Sequence, residues 1–288
     1  MATIFRKILC PVDFSDNSIA ALGQAAKLAR KDDALLYLMH VEFVPMSNPA
    51  ELADYVTFST EPGKLRLEPI ARKYLAKVRH QLLVQTGWPA KVIEKAAQDL
   101  DVDLIVMATH GRTGINRLFL GSIAEHVVRT SERSVLSFGP GTAIGALKKI
   151  LCPVDFDPNS IAALNFGWRL AREYRAAISL LHVVRLPFEP SEVPVEPPPE
   201  WEQDARAKLV KVAAENLGAK AKYKLVVRRG DPASAILEVE KELRPDLIVM
   251  ATHGRTGLSH LVLGSVAERT VRESIVPVLT VRGRQSVA

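Results

Sequence analysis

The sequence predicts an α/β protein made of two tandem domains, each an open sheet flanked by helices, and three observations carry that prediction. Lys7-Ile-Leu-Cys-Pro-Val-Asp-Phe14 returns letter for letter as Lys149 to Phe156, and Asp103-Leu-Ile-Val-Met-Ala-Thr-His-Gly-Arg-Thr-Gly114 returns as Asp246 to Gly257. The offset is 142 at Asp13/Asp155 and His40/His182 and 143 at Gly87/Gly230, Gly111/Gly254 and Gly121/Gly264, so the halves share one register. Within each half, short β-branched runs alternate with helical patterns, as in a parallel sheet wrapped by helices. A chain of 288 residues divides into halves of about 144, each long enough to bury a core of its own.

In the first half, strands are expected near 5–12, 34–41, 81–86, 102–108 and 134–138, where apolar and β-branched residues run together. Helices fall between them, near 17–31, 64–79, 89–100 and 121–131. Ser15, Asp16 and Asn17 offer N-caps for the first helix, and Ile19, Leu22, Ala26 and Ala29 recur on one of its faces. The second half repeats this order from Lys149. We place the domains at 1–140 and 147–284, joined by the glycine-rich Gly139-Pro-Gly-Thr-Ala-Ile-Gly145. Pro187 to Glu200, with six prolines, and its counterpart Phe43 to Gly63 read as solvated crossovers between second strand and second helix.

Composition excludes several classes of function. With 48% hydrophobic and 24% charged residues, and apolar runs such as Leu104 to Ala108 that are only strand-sized, no membrane span is expected. Arg6 and Lys7 interrupt any apolar stretch at the N-terminus, which argues against a signal peptide and for a cytoplasmic protein. The two cysteines, Cys10 and Cys152, share one repeat position inside apolar strands and read as buried thiols. A net charge of +6 and a pI near 9.3 raise the question of nucleic acid, but the Lys and Arg residues are scattered and interleaved with Asp and Glu, as on a solvated surface. No His and carboxylate spacing resembles a metal site.

The chemistry concentrates where the identical stretches leave their strands. Leu104 to Gly114 runs from a buried strand into a loop, and Leu120-Gly-Ser-Ile-Ala-Glu125 opens a helix. Glycines 111 and 121 let backbone N–H groups approach an anion closely, Ser122 adds a hydroxyl, Arg112 a charge, and the helix N-terminus a favourable dipole. Gly254, Arg255, Gly264 and Ser265 repeat the set. Simple turn and cap roles are the alternative for each residue taken singly. Asp13, at the end of Pro11-Val12-Asp13, and its copy Asp155, in Pro153-Val154-Asp155, can accept hydrogen bonds from ribose hydroxyls or cap the following helix. If the first and fourth strands are neighbours where strand order reverses, Asp13 and the Gly111 loop face each other across the crevice in which open α/β sheets bind ligands.

On these residues each half resembles the universal stress protein domain, specifically its ATP-binding branch, whose signature is Gly, two residues, Gly, nine residues, Gly, then Ser or Thr. Here the pattern reads Ala108, Gly111, Gly121, Ser122 and again Ala251, Gly254, Gly264, Ser265, so alanine stands where the first glycine is expected. The resemblance covers both domains and includes the opening strand, the strand ending in His-Val and the Met-Ala-Thr-His-Gly loop. It implies a Rossmann-like fold of the adenine nucleotide alpha hydrolase type, a five-stranded parallel sheet in order 3-2-1-4-5 in each domain. It further implies ATP, or ADP or AMP, with Mg2+ as its companion cation. The nucleotide would lie over Pro11, Val12 and Asp13, with adenine near Val41, the strand end at Met107 and Ala108 beside it, and phosphates on His110, Gly111, Arg112, Gly121, Ser122 and Ile123. Pro153, Val154, Asp155, Val183, Met250, Ala251, His253, Gly254, Arg255, Gly264, Ser265 and Val266 would repeat the site.

His110 and His253 lie inside the loop, where donation to a phosphate competes with a local turn contact. His40 and His182 end apolar strands and are assigned no chemistry. The leading expectation is a nucleotide-dependent stress-response module that acts by occupancy, because the chain has no Gly-x-x-x-x-Gly-Lys-[Ser/Thr] loop and no lysine placed at the phosphates. A slow ATPase or adenylyl-transfer enzyme and a structural stress dimer that binds no nucleotide are the alternatives. By the same resemblance, the two domains would pair within the chain through Ser134 to Phe138 and Pro277 to Val281, and the chain could form a homodimer.

Overall fold

The computed structural model describes residues 3–43, 49–111, 120–185, 199–218, 221–252 and 264–282, as backbone alone over 49–61 and at 199. The chain separates into two compact units, Met1–Ala143 and Ile144–Ala288. In the first, β1 (Lys7–Pro11), α1 (Asp16–Asp32), β2 (Leu35–Glu42), α2 (Pro49–Tyr74), β3 (His80–Thr86), α3 (Pro89–Asp99), β4 (Leu104–Ala108), α4 (Ser122–Thr130) and β5 (Ser134–Phe138) follow one another. All four strand pairings are parallel, in the order β3-β2-β1-β4-β5. The chain therefore leaves β1 toward β2 and β3, then returns on the other side of β1 to build β4 and β5, and the order reverses between β1 and β4.

The second unit repeats this. It contains β6 (Lys149–Pro153), α5 (Pro158–Tyr174), β7 (Ala177–Val184), α6 (Pro199–Leu217), β8 (Tyr223–Arg229), α7 (Pro232–Leu243), β9 (Leu247–Ala251), α8 (Ser265–Glu273) and β10 (Val278–Val281). Its strands are also all parallel, with β6 between β7 and β9.

Burial follows the sequence pattern. The middle strands are apolar on both faces: Ile8, Leu9, Cys10, Leu104, Ile105 and Val106 are wholly buried, as parallel strands covered by helices require. Ser15 caps α1, its hydroxyl accepting from the Ser18 amide, and Leu22, Ala26 and Ala29 face the core while Ile19 is half-buried. In the second unit Asp157 takes the cap and Pro158 the first helical position, where its missing N–H costs no bond. The two cysteines are free and buried, and burial pushes both thiols far up from their ordinary pKa. Asp103 and Asp246, the first residues of the longer identical stretch, have a structural reason to recur. Oδ2 of Asp103 accepts from the amides of Arg6 and Lys7 at 2.7 and 2.8 Å, and Oδ2 of Asp246 accepts from Lys148 and Lys149 at the same distances, fixing the start of β1 and β6.

Several expected boundaries move, those of the first strand and the second helix among them. β1 is shorter than 5–12, because the Asp103 clamp holds Arg6 just before it and the chain turns away after Pro11. The second helix does not begin at 64 and run to 79. It spans Pro49–Tyr74, so most of the expected 43–63 crossover is helical, and Pro62 and Gly63 lie inside the helix although they read as breakers. Residues 44–48 of that crossover and 186–198 of its counterpart lie outside the described residues, while Pro199 and Glu200 already belong to α6. Among the described residues no helix is long and apolar enough to cross a membrane.

Candidate functional site

At the carboxyl ends of β1 and β4, where the strand order reverses, the first unit opens a cavity of about 560 Å³. Pro11, Val12, Asp13, Val41, Met107, Ala108, His110, Gly111, Gly121, Ser122 and Ile123 all line it. Arg112 lies outside the described residues. The position is the one that chain reversal creates in any open parallel sheet: two loops depart in opposite directions and leave a crevice between them.

Asp13 is held rather than spent on a helix cap. Its Oδ1 accepts from the amide and hydroxyl of Ser15 at 3.0 and 2.6 Å, while its own amide donates to Ser18 Oγ at 3.3 Å. Ser15 then does the capping. Oδ2 of Asp13 points across the crevice toward the β4 loop, so closely that a Cβ on Gly111 would stand 2.5 Å from it. Glycine at 111 is therefore a requirement of close approach. The next residue, Phe14, has φ 65°, a left-handed conformation that is costly for an aromatic residue, and Phe156 repeats it at φ 68°. His40 braces this turn: its Nδ1 donates to Val12 O at 2.8 Å and its ring packs on Phe14 at 4.3 Å. His182 does the same with Val154 O at 2.7 Å and Phe156 at 4.2 Å. The two strand-end histidines thus fix the shape of the crevice floor.

On the opposite wall, Gly121 N donates to Thr109 O at 2.8 Å, closing the loop that leaves β4, and a Cβ at 121 would approach that carbonyl to 3.0 Å. Gly121 is also the N-cap of α4, and no described side chain caps this terminus. The first helical bond runs from Glu125 N to Gly121 O, so the amides of the first turn face the cavity without an intrahelical acceptor. Such a terminus favours an anion by both geometry and dipole. His110 is buried, and its Nδ1 lies 2.8 Å from Thr109 Oγ1, whose hydroxyl is 3.3 Å from Phe138 O. The local turn contact therefore engages the Nδ1 side of the ring. Ala108 and Ala251 are ordinary strand residues, and neither is among the residues with positive φ.

The second unit carries the same parts. Asp155 Oδ1 accepts from the Asp157 amide at 3.1 Å, and its amide donates to Ser160 Oγ at 3.3 Å. Pro153 ends β6 with Val154 and Asp155 following it, Val183 is the last residue but one of β7, and Met250 and Ala251 end β9. Gly264 N donates to Thr252 O at 2.8 Å and caps α8 without a described side-chain partner, with Ser265 and Val266 opening the helix. His253, Gly254 and Arg255 lie outside the described residues. Among the described residues no group of three or more His, Cys, Asp or Glu side chains could hold a metal.

Sequence reasoning missed three contributors. Phe14 and Thr109 sit inside the identical stretches, and their recurrence was a signal that went unused. Arg66 gave none: it comes from α2, lines the cavity and stacks its guanidinium 3.7 Å above the Phe14 ring.

The universal stress protein family model matches residues 4–138 and again 146–282. A universal stress protein of Methanocaldococcus jannaschii is 36% identical over 141 residues, covering 47% of this chain and 82% of that protein. One from Mycolicibacterium smegmatis is 29% identical over 292 residues, covering 96% of this chain and 97% of its own length. Among solved structures, a universal stress protein from Archaeoglobus fulgidus shares the fold with a TM-score of 0.75 at 21% identity, covering 96% of this chain and 98% of that one. One family model accounts for each half in turn, and the chain belongs to the universal stress protein family.

Proposed function

We propose that the protein binds adenine nucleotides in the crevice of each unit and acts by occupancy as a nucleotide-dependent stress-response module. The observation that carries this reading is the opposition of Asp13 Oδ2 and Gly111 across the β1/β4 crevice, beside the uncapped start of α4. A carboxylate that accepts from ribose hydroxyls and a helix terminus that favours phosphate then stand on facing walls of one 560 Å³ cavity. Val41 and Met107 supply apolar lining for the base, and Gly111, Gly121, Ser122 and Ile123 the phosphate side. ATP is the ligand we favour, with Mg2+ carried on its phosphates. Asp155, Val183, Gly264, Ser265 and Val266 form the second copy.

The test is mass spectrometry of small molecules released when the freshly purified chain is denatured, quantified against protein. About two adenine nucleotides per chain is the expected result. None released, followed by no binding on titration with ATP, would overturn the proposal in favour of a structural stress protein. Retention of ATP unchanged over hours separates the occupancy reading from an ATPase or adenylyl-transfer enzyme, which would consume it. A homodimer of the 31.6 kDa chain would sediment at twice that mass.

A further inference from the structure

The duplication provides an internal control, because matched backbone frames carry different side chains at the mouths of the two crevices. Gly87 N donates to Glu42 O and Gly230 N to Val184 O, both at 3.0 Å, and both glycines have positive φ, 137° and 111°. The residues that follow these anchors therefore correspond: Phe43 with Arg185, and Trp88 with Asp231. In the second unit Asp231 is a working N-cap for α7, accepting from the Ser234 amide at 3.0 Å and hydroxyl at 2.7 Å and pairing with Arg269 at 2.7 Å. In the first unit Trp88 stands in that cap position, makes no side-chain cap bond to α3, and is 59% exposed.

An exposed tryptophan at a position built for a capping carboxylate forgoes helix stability. It stands against Phe43, itself 52% exposed, at a ring-centroid distance of 5.4 Å and an interplanar angle of 72°. Phe43 lines the cavity together with Ile123, another exposed apolar residue. An edge-to-face partner stiffens an exposed ring, and a stiff ring at the rim of a cavity is a stacking surface for a second planar group. Charged residues occupy the same two positions in the second unit.

We infer that Phe43, backed by Trp88, is a base-stacking shelf that makes the first crevice the tighter and more ring-selective of the two nucleotide sites. The inference rests on the proposed nucleotide binding and deepens it. Trp88 acts through Phe43, which is the residue that meets the ligand.

The experiment is calorimetric titration of the full chain with ATP, run beside tryptophan emission, for wild type, Phe43→Ala and Trp88→Asp. The second variant installs the cap that the other unit has, so its melting temperature should not fall, and lost binding cannot be ascribed to unfolding. Wild type should show two ATP affinities, with the tighter step shifting the emission of Trp88. Both variants should weaken that step about fivefold, the order expected for one aromatic pair, and leave the other step unchanged. Equal affinities in wild type, or a tighter step untouched by both variants, would overturn the shelf while leaving nucleotide binding intact. No ATP heat in any protein would instead remove the nucleotide reading on which the shelf depends.

Discussion

Two positions of the signature, Gly111 and Ala108, are under different constraints. At 111 the constraint is distance: the Cβ of Gly111→Ala would lie 2.5 Å from Asp13 Oδ2, so either the β4 loop or the Asp13 turn must move. Asp13 is itself tied to Ser15 and Ser18, and Phe14 beside it is already in a left-handed conformation, so the turn has little freedom to yield. We expect Gly111→Ala to lower stability by about 1–3 kcal/mol, as overpacking does, and to remove the first crevice's share of the thermal shift produced by ATP. At 108 there is no such constraint, since the alanine is a regular residue of β4 paired with Phe138. Restoring the signature glycine with Ala108→Gly should leave the ATP shift unchanged and cost about 0.5–1 kcal/mol in chemical denaturation, the entropic penalty of glycine in a strand. The departure from the signature that the sequence exposes at Ala108 and Ala251 therefore falls where the backbone tolerates it.

Among the elements, the turn that leads from α8 into β10 carries a tie that α7 supplies. Glu240, 1% exposed, accepts through Oε1 from the Ser274 hydroxyl at 2.6 Å and from the amides of Ile275 and Val276 at 2.9 and 3.0 Å. Burial pushes its carboxyl up from the ordinary glutamate range, and the bonds from Ser274, Val276 and Ile275 pull it part of the way back. Because the folded value lies above the unfolded one, the folded chain holds this proton more firmly, and the linked stability is present below the ordinary pKa of 4.5 and is lost as pH rises through the folded value. Glu240→Gln keeps an acceptor and removes the titration. In urea melts between pH 4 and pH 8 the wild type should lose stability relative to this variant as pH rises. Glu240→Ala, which takes the shared acceptor from the Ser274 hydroxyl and the Ile275 and Val276 amides at this half-buried turn, should cost about 1–3 kcal/mol at all pH values in that range. Nothing in the sequence marks Glu240, which reads as one more surface charge on an amphipathic helix. The elements themselves were legible because period and caps agree: β4 and α1 emerge close to where apolar runs and Ser15 place them. α2 was legible only from 64 onward, because Pro62 and Gly63 read as a break although the helix runs through them. The crevice residues were legible for a different reason, since the duplication repeats them, whereas Arg66, Phe43 and Trp88 belong to one half only and leave no such trace.

For the molecule as a whole, duplication repeats the described crevice parts, Asp13 and Gly121 in the first unit and Asp155 and Gly264 in the second. Asp13 is fixed by Ser15 and Ser18 and faces Gly111; Asp155 is fixed by Asp157 and Ser160 in its own unit. Each loop is closed by its own glycine on its own threonine, Gly121 on Thr109 and Gly264 on Thr252. Each carboxylate is therefore expected to serve one site. Replacing one should act as a local deletion, since sites that share no partner residues combine nearly independently. On the proposed function, Asp13→Ala should reduce the adenine nucleotide released on denaturation from about two per chain to about one, Asp155→Ala should do the same, and the double variant should release none. The two single variants should nevertheless differ on titration. The chain that keeps the Phe43 and Trp88 crevice should hold its nucleotide more tightly than the chain that keeps the Arg185 and Asp231 crevice. If either single substitution emptied both sites, the carboxylates would have to act across the repeat, and the reading of the chain as two autonomous binding units would give way to one composite site.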